Sequence, residues 1–216
     1  FWRWSALGLL ACAGAGLLDD LGRLHGFGKL VLQLLGAVLL AQAFRNLQPV
    51  GLDGTTVASI VLAALVLVNF TNFMDGSNGL VAVQAILVIV GLALLATLAA
   101  APVLLAVVIL AAALGFLPFN FPRARVFLGD VGSHALGYAI ALLVCRSWSD
   151  AAVPLPLVFL LLSAMLADAS LTLALRIFRG ERFWQPHREH LYQWAVRQGA
   201  THGLVCLGYA AWTLAA

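Results

Sequence analysis

Charged residues are scarce in this 216-residue chain, where Asp, Glu, Lys and Arg together make up only 10% of the sequence. Soluble domains carry about a quarter charged residues, so this scarcity excludes an ordinary water-soluble domain. Hydrophobic residues make up 63%, and the mean hydropathy is +1.01. The composition therefore predicts an all-α fold, a polytopic helical bundle embedded in a membrane. The net charge of +3 is too small to indicate a nucleic-acid partner.

Cysteine is rare as well, and the sequence lacks several common motifs. Cys12, Cys145 and Cys206 each lie in an apolar run without disulfide or metal-type spacing, so we interpret them as small buried hydrophobic residues. The zinc-protease motif H-E-x-x-H is absent, since residues 187–190 read HREH. Neither an initiator Met nor a cleavable signal is evident, so we expect a fragment or a trimmed start.

Long apolar runs are what the sequence has in abundance, and they predict about eight transmembrane spans. The first and last runs look cut short, and prolines such as Pro118 fall at or just outside the proposed ends. Because no internal repeat or linker divides the chain, we predict a single membrane-embedded domain over residues 1–216. The runs are residues 4–18, 28–44, 54–68, 79–99, 103–117, 133–148, 155–178 and 201–216.

Basic residues concentrate in alternate loops. Residues 19–29, 69–78, 120–132 and 179–199 contain eight of them, whereas the opposite side has only Arg3, Arg45 and Arg146. An excess of Lys and Arg marks cytoplasmic loops, so these four loops are predicted to face the cytoplasm. They also contain nearly every carboxylate, amide and histidine that could take part in chemistry. The sequence therefore predicts an active site at the cytoplasmic face.

The stretch NFTNFMDGSNGL, residues 69–80, joins two of the apolar runs. Asn, Asp and Ser compete for backbone hydrogen bonds, and glycine permits turns and close approach, so we predict a polar loop here. A plain connecting loop is the simpler alternative.

Several carboxylates stand where the helix dipole opposes them. Asp19 and Asp20 end the first run, and Asp75 ends the third, although a helix C-terminus disfavours anions. This placement indicates a bound cation or a proton site, with solvation at the membrane surface as the alternative. Asp130 lies between glycines at a predicted helix N-terminus, where it is either an N-cap or part of a phosphate site. Oxygen ligands of this kind suit Mg²⁺ and favour phosphoryl transfer.

Four features occur in order on the predicted cytoplasmic face: Asp19-Asp20, NxxNxxDGxxGL over residues 69–80, FLGDxGS over residues 127–133, and the loop with His190. This combination resembles the polyprenyl-phosphate N-acetylhexosamine-1-phosphate transferases of the glycosyltransferase family 4 type. The resemblance implies transfer of N-acetylhexosamine 1-phosphate from a UDP-sugar to undecaprenyl phosphate, releasing UMP and initiating a lipid-linked glycan. It further implies a Mg²⁺ requirement, with Mn²⁺ as a substitute, and a multi-pass location in the bacterial inner membrane.

The resemblance also implies roles for individual residues. It implies a catalytic role for four aspartates, of which Asp130 and Asp20 would bind the metal ion: Asp19, Asp20, Asp75 and Asp130. It implies a substrate-binding role for three amides and for part of the fourth loop: Asn69, Asn72, Asn78, His187, Arg188 and His190. Asp168, within the seventh run, is a secondary candidate, with a helix-packing hydrogen bond as its alternative role.

Departures from the family pattern bear on the substrate. Tyr192 and Gln193 stand where many members have histidines, a form typical of the O-antigen-initiating branch, and His134 replaces a small residue without explanation. The alternative within the family is phospho-N-acetylmuramoyl-pentapeptide transferase. A polytopic transporter or an inactive remnant are the other hypotheses, because the family's N-terminal spans are missing. Some relatives are dimers, so a homodimer is a further expectation.

Overall fold

A computed structural model describes residues 1–47, 51–95, 100–149, 153–182, 185 and 187–216. The regular secondary structure of these residues is entirely helical, which confirms the all-α prediction. Nine helices are present in this described part: α1 Trp2–Asp20, α2 Gly26–Arg45, α3 Gly54–Phe73, α4 Leu80–Leu95, α5 Ala100–Asn120, α6 Gly129–Ser149, α7 Leu155–Phe178, α8 Leu191–Arg197 and α9 His202–Ala215.

Each of the eight apolar runs corresponds to one helix, and the short helix α8 is an addition. Among the described residues, four helices are long and apolar enough to cross a membrane: α2, α3, Val103–Asn120 of α5, and α7. The chain is therefore a multi-pass membrane protein by length and composition, while the number of eight spans stays a prediction. The end of the fourth run, residues 96–99, lies outside the described residues.

Two predicted boundaries are wrong. Helix α3 continues to Phe73, so Asn69 and Asn72 lie on a helix rather than in a loop. The Asn69 amide donates to Leu65 O, one turn back in the same helix, so this side-chain hydrogen bond forms within the helical conformation and does not replace it. Pro118 lies inside α5, in its last turn, where few residues of the helix follow the missing N–H.

The described helices form two compact units. The first unit comprises Phe1–Asn72 and Leu128–Asp150. Within it α1 packs against both α2 and α6. A Cβ on Gly8 would lie 2.1 Å from Tyr138 Oη, and a Cβ on Gly16 would lie 2.2 Å from Asp130 O. Because small residues let helix backbones approach closely in membranes, the end of α1 reaches the start of α6.

The second unit comprises Phe73–Phe127 and Ala151–Ala216. Helix α4 packs against α5, α7 and α9, and the short helix α8 contacts both α7 and α9. The Thr213 hydroxyl donates a 2.8 Å hydrogen bond to Gln84 Oε1, which joins α9 to α4 inside the unit. The prediction of a single domain stays a prediction. All three cysteines are buried and free, as their apolar surroundings predicted.

Candidate active site

Lys29, the chain's only lysine, lies between two carboxylates in the first unit. Its Nζ donates to Asp19 Oδ2 and to Asp130 Oδ2, each at 2.6 Å. Asp19 is in the last turn of α1, Lys29 in the first turn of α2, and Asp130 in the first turn of α6. Three distant parts of the chain therefore contribute to one group of charges. We call Asp19, Lys29 and Asp130 the Lys29 cluster.

The two carboxylates of the Lys29 cluster titrate differently. Burial opposes ionisation of Asp130, but hydrogen bonds with Asp19 and Lys29 lower its pKa to about 2. The hydrogen bond with Asp130 is the largest cause that raises the pKa of Asp19, and Lys29 offsets this only in part. When both carboxylates are ionised they outnumber the single ammonium group. The cluster therefore favours additional positive charge.

Asp20 has different partners from its neighbour Asp19. Its Oδ1 accepts from the backbone N–H of Asp130 and its Oδ2 from that of Val131, both at 3.0 Å. Successive helical residues point about 100° apart, which is why the adjacent side chains reach different groups. A carboxylate at a helix N-terminus is favoured by the helix dipole. Asp20 therefore caps α6, and two of the amides that the sequence offered to phosphate are already bound.

Gly129 makes this cap possible, and its replacement gives a testable prediction. It has φ +67°, and a Cβ there would lie 2.8 Å from Asp20 Oδ2. Gly129→Ala should add about 1–2 kcal/mol of backbone strain and displace the Asp20 carboxylate. We expect the UMP release that the resemblance implies to fall roughly tenfold or more per amount of membrane-inserted protein, since a small misplacement at an active site is costly.

Gly22 is the matched control, because it has φ +65° but nothing within 4 Å of an added Cβ. Gly22→Ala carries the backbone strain without the contact. Equal losses in the two variants would contradict the role of the Asp20 cap.

Asn72 reaches Asp130 from α3. Its Nδ2 donates to Asp130 Oδ1 at 2.9 Å and to Ser133 Oγ at 3.1 Å. The predicted substrate-binding residue Asn72 and the predicted metal ligand Asp130 are thus brought together. With Lys29 on Oδ2 and Asn72 on Oδ1, both oxygens of Asp130 have a partner.

A buried polar chain lies beside this group. Asn69 Nδ2 donates to Gln33 Oε1, and Gln33 Nε2 contacts His134 Nε2, both at 3.0 Å. Because Asn69 Nδ2 also donates to the Leu65 carbonyl, the amide orientations are set along the chain. His134 Nε2 is then the acceptor, and its ring proton is assigned to Nδ1. His134, unexplained by the sequence, therefore fixes Gln33 and through it Asn69.

The NFTNFMDGSNGL stretch belongs to the second unit from Phe73 onward. Gly79 N donates to Asn120 Oδ1 at 2.8 Å, and Asn78 Nδ2 donates to the Pro122 carbonyl at 3.3 Å. Gly79 has φ +75°, which glycine adopts without strain. Asn78, a predicted substrate-binding residue, thus joins this turn to the segment after α5. Asp75 lies near Tyr192, whose pKa is raised by burial, by Asp168 and, to a smaller extent, by Asp75.

His187 and His190, both predicted to bind substrate, come together in the second unit. Their ring centroids are 4.9 Å apart, and the His190 ring stacks on those of Phe73 and Tyr192 at 5.9 and 5.8 Å. Burial, followed by His190 and Arg176, lowers the pKa of His187, which favours its neutral form.

Arg188 is placed differently from the two histidines. Its side chain is exposed, and its carbonyl accepts a hydrogen bond from Arg197. The structure therefore places this predicted substrate-binding side chain at the surface, whereas the His190 ring is buried.

Two important cations were missed in the sequence. From the sequence, Lys29 was treated only as one of the basic residues in the loops. Lys29 is the one lysine of the sequence, and this was a signal that could have identified it. Arg176 is only 7% exposed and binds Glu189 at 2.6 Å and Glu181 at 2.8 Å, two residues that follow α7. An arginine within an apolar run requires such partners, which is the signal that could have identified it.

The donor set of the Lys29 cluster allows a test of the predicted Mg²⁺. No group of three or more His, Cys, Asp or Glu side chains that could hold a metal ion exists among the described residues. Mg²⁺ is usually bound through one or two carboxylates and completed by substrate phosphates and water. Asp130 and Asp19, which converge on one cation, fit this partial set. The residues are therefore compatible with a Mg²⁺ ion that needs its substrate, and not with an all-protein cage.

The fold and this site define a multi-pass membrane protein with a charged polar centre formed by helix ends. Residues 2–147 match the sequence model of the family described as Glycosyl transferase family 4, and the chain belongs to that family.

Similar proteins include the decaprenyl-phosphate N-acetylglucosaminephosphotransferases of Mycobacterium tuberculosis strain H37Rv, at 31% identity, and of Mycobacterium leprae, at 30%. Each comparison covers 92% of this chain and 58% of the relative. The phospho-N-acetylmuramoyl-pentapeptide-transferase of Deinococcus radiodurans is 34% identical over 62% of this chain and 48% of its own length. The chain thus spans somewhat more than half the length of the mycobacterial relatives.

Proposed function

We propose that this chain forms the catalytic part of a membrane transferase that moves N-acetylhexosamine 1-phosphate from a UDP-sugar to a polyprenyl phosphate. The observation that carries the proposal is the Lys29 cluster, in a chain that belongs to glycosyl transferase family 4. Family membership favours this function over the transporter alternative. The product would be a polyprenyl-diphosphate-linked sugar that starts a lipid-linked glycan.

The reaction needs positioning and charge neutralisation more than covalent help from the protein. An oxygen of the lipid phosphate attacks the β-phosphorus of the UDP-sugar and forms a new P–O bond. The bond from that phosphorus to the oxygen bridging the two phosphates breaks, and its electron pair leaves with UMP. A phosphate monoester, with a second pKa of about 6, is already mostly deprotonated at neutral pH. A protein base is therefore not required, and orientation is the stronger role for the aspartates.

The Lys29 cluster supplies groups suited to these tasks. Asp130 and Asp19 would hold Mg²⁺, which when bound would neutralise charge on the phosphates. Asp20, a metal ligand by the resemblance, already accepts two backbone N–H groups, so we assign it instead to fixing the start of α6. Lys29 is a cation beside both carboxylates, and a compact ammonium group is well suited to phosphate. Asn72 fixes the orientation of the Asp130 carboxylate.

The donor we propose is UDP-N-acetylglucosamine and the acceptor undecaprenyl phosphate. The names of the two mycobacterial relatives support the sugar. Tyr192 and Gln193 support an O-antigen-type glycan, and the basic loops support an active site facing the cytoplasm at the bacterial inner membrane. The Deinococcus relative supports a second candidate, transfer from UDP-N-acetylmuramoyl-pentapeptide. A homodimer stays a prediction.

A panel of radiolabelled sugar nucleotides separates the two candidates. Membranes containing the protein, expressed from its complete reading frame, would receive undecaprenyl phosphate, Mg²⁺ and one UDP-sugar at a time. We expect lipid-linked label from UDP-N-acetylglucosamine at a rate at least about tenfold above that from UDP-N-acetylmuramoyl-pentapeptide, since a site built for one substrate leaves polar groups unpaired with the other.

Membranes from the same cells without the protein are the control for this panel. The reverse preference would establish the second candidate. Absence of label from every UDP-sugar would contradict the proposed function.

A further inference from the structure

Asp168 is a buried carboxylate within the apolar helix α7, and its side chain is only 1% exposed. Its Oδ1 accepts from Leu191 N at 2.8 Å and from Thr172 Oγ1 at 3.2 Å. Its Oδ2 accepts from Tyr209 Oη at 2.5 Å and from Tyr192 N at 3.3 Å. Four donors from α7, α8 and α9 therefore converge on one carboxylate.

The four hydrogen bonds of Asp168 are more than the alternative role, a single helix-packing hydrogen bond, would require. The Tyr209 hydroxyl alone would be enough to join α7 to α9. Two further donors are backbone N–H groups of Leu191 and Tyr192, the first two residues of α8. A seven-residue helix is too short to be stable on its own, so this cap contributes directly to its formation. Asp168 thus does for α8 what Asp20 does for α6 in the other unit.

The residues that Asp168 anchors are part of the candidate site. His190 is the N-cap residue of α8, is 2% exposed, and has its Nδ1 3.4 Å from Asp168 Oδ1. Tyr192 follows in the first turn and donates from Oη to the Phe73 carbonyl at 2.9 Å. A Cβ on Gly76 would lie 2.3 Å from the same Tyr192 oxygen. The start of α8 thus packs directly against the Phe73–Gly76 segment, which includes Asp75.

We propose that Asp168 is a positioning residue that fixes His190 and, through Tyr192, the Phe73–Gly76 segment for binding of the UDP-sugar. This inference rests on the proposed function for its substrate. Asp168 itself does not touch the substrate. Its carboxylate acts by holding the first two amides of α8 and, with Tyr209, by fixing that helix end against α9.

Asp168→Asn and Tyr209→Phe test the proposal kinetically. Asparagine retains the size of the side chain but turns an NH₂ group toward a donor, and phenylalanine removes the Tyr209 hydrogen bond. We expect the KM for the UDP-sugar to rise about tenfold or more in Asp168→Asn and less in Tyr209→Phe, since hydrogen bonds to a buried charge are the strong ones. The kcat and the KM for undecaprenyl phosphate should stay within about twofold, because uniform binding energy affects KM and not kcat.

Thr213→Val is the matched control, since it removes another buried hydrogen bond of α9, the one to Gln84, without touching α8. It should leave the KM for the UDP-sugar unchanged. A purely structural role of Asp168 would instead reduce the amount of active protein, with both KM values unchanged, and that result would overturn the proposal.

Amide hydrogen exchange provides a readout that needs no activity. In the purified full-length protein, Asp168→Asn should accelerate exchange at Leu191 and Tyr192, whereas Thr213→Val should not. Unchanged exchange at these two amides would overturn the proposal even if activity fell. If the unmodified protein transferred no sugar at all, the proposed function would fail, while the exchange rates would still decide whether Asp168 positions α8.

Discussion

Replacing Asp130 by asparagine is expected to lower Mg²⁺-dependent UMP release by about a hundredfold or more, the scale on which loss of one preorganised charge group affects an active site. Asp130 accepts hydrogen bonds from Lys29 and Asn72, and its carboxylate is the best candidate to hold Mg²⁺ with Asp19. Asparagine has almost the same shape, so the loss would reflect charge rather than packing. The measurement is the initial rate of UMP release, normalised to membrane-inserted protein.

Asp53→Asn is the control for this experiment. Asp53 is an exposed aspartate whose Oδ1 accepts local hydrogen bonds from the Thr55 hydroxyl and the Thr56 amide. Its replacement should leave UMP release within about twofold, because surface substitutions rarely change a protein much. If Asp130→Asn retained the rate of Asp53→Asn, Asp130 would have no part in the reaction.

Replacing Lys29 by methionine is expected to have the second largest effect. The two carboxylates would lose the ammonium group that lies 2.6 Å from each of them, and like charges this close oppose each other's ionisation. Breaking a partly buried ion pair from one side leaves charge uncompensated, so we expect roughly a hundredfold loss of transfer rate. Lys29→Arg keeps the charge but changes its geometry, and it should recover only part of the activity. Initial rates at saturating UDP-sugar measure both variants.

Arg23→Met is the matched control for Lys29→Met. Arg23 is an exposed basic residue in the short segment that precedes α2, near Lys29 in the sequence, so its loss removes an equal charge. A comparable loss of activity in Arg23→Met would show that the basic loop matters as a whole and that the Lys29 cluster has no special role.

The sequence predicted the location of the carboxylates better than their partners. The meeting of Asp19 and Asp130 could be expected, because both stand at the ends of apolar runs on the same predicted face. Lys29 could not be assigned, since a basic residue in a cytoplasmic loop already has a sufficient explanation in membrane topology. The bonds of Asp20 to backbone amides of α6 depend on the close contact of α1 with α6. This contact is a feature of the tertiary packing and could not be predicted from the sequence.

Helix ends were the other limit of sequence-based prediction. The apolar runs give the positions of eight helices, because length and hydropathy determine membrane-type helices. Asn69 and Asn72 lie on α3 with their amides bound to the Gln33 and Asp130 side chains, and these partners come from tertiary contacts. Asn69 also donates to the Leu65 carbonyl within α3 itself. The start of helix α8 could not be predicted for the same reason: the carboxylate that caps it, Asp168, lies on another helix.

The most direct test of the claim that the Lys29 cluster is the reaction centre is a labelling rate. A small amine-reactive reagent would be used to modify Lys29 in active membranes. Labelling would be mapped by mass spectrometry, with and without UDP-N-acetylglucosamine, undecaprenyl phosphate and Mg²⁺ together. If the Lys29 cluster is the reaction centre, substrates that are being turned over should slow labelling of Lys29 several-fold. Labelling of Lys29 at an unchanged rate in membranes that are converting the substrates would contradict this account.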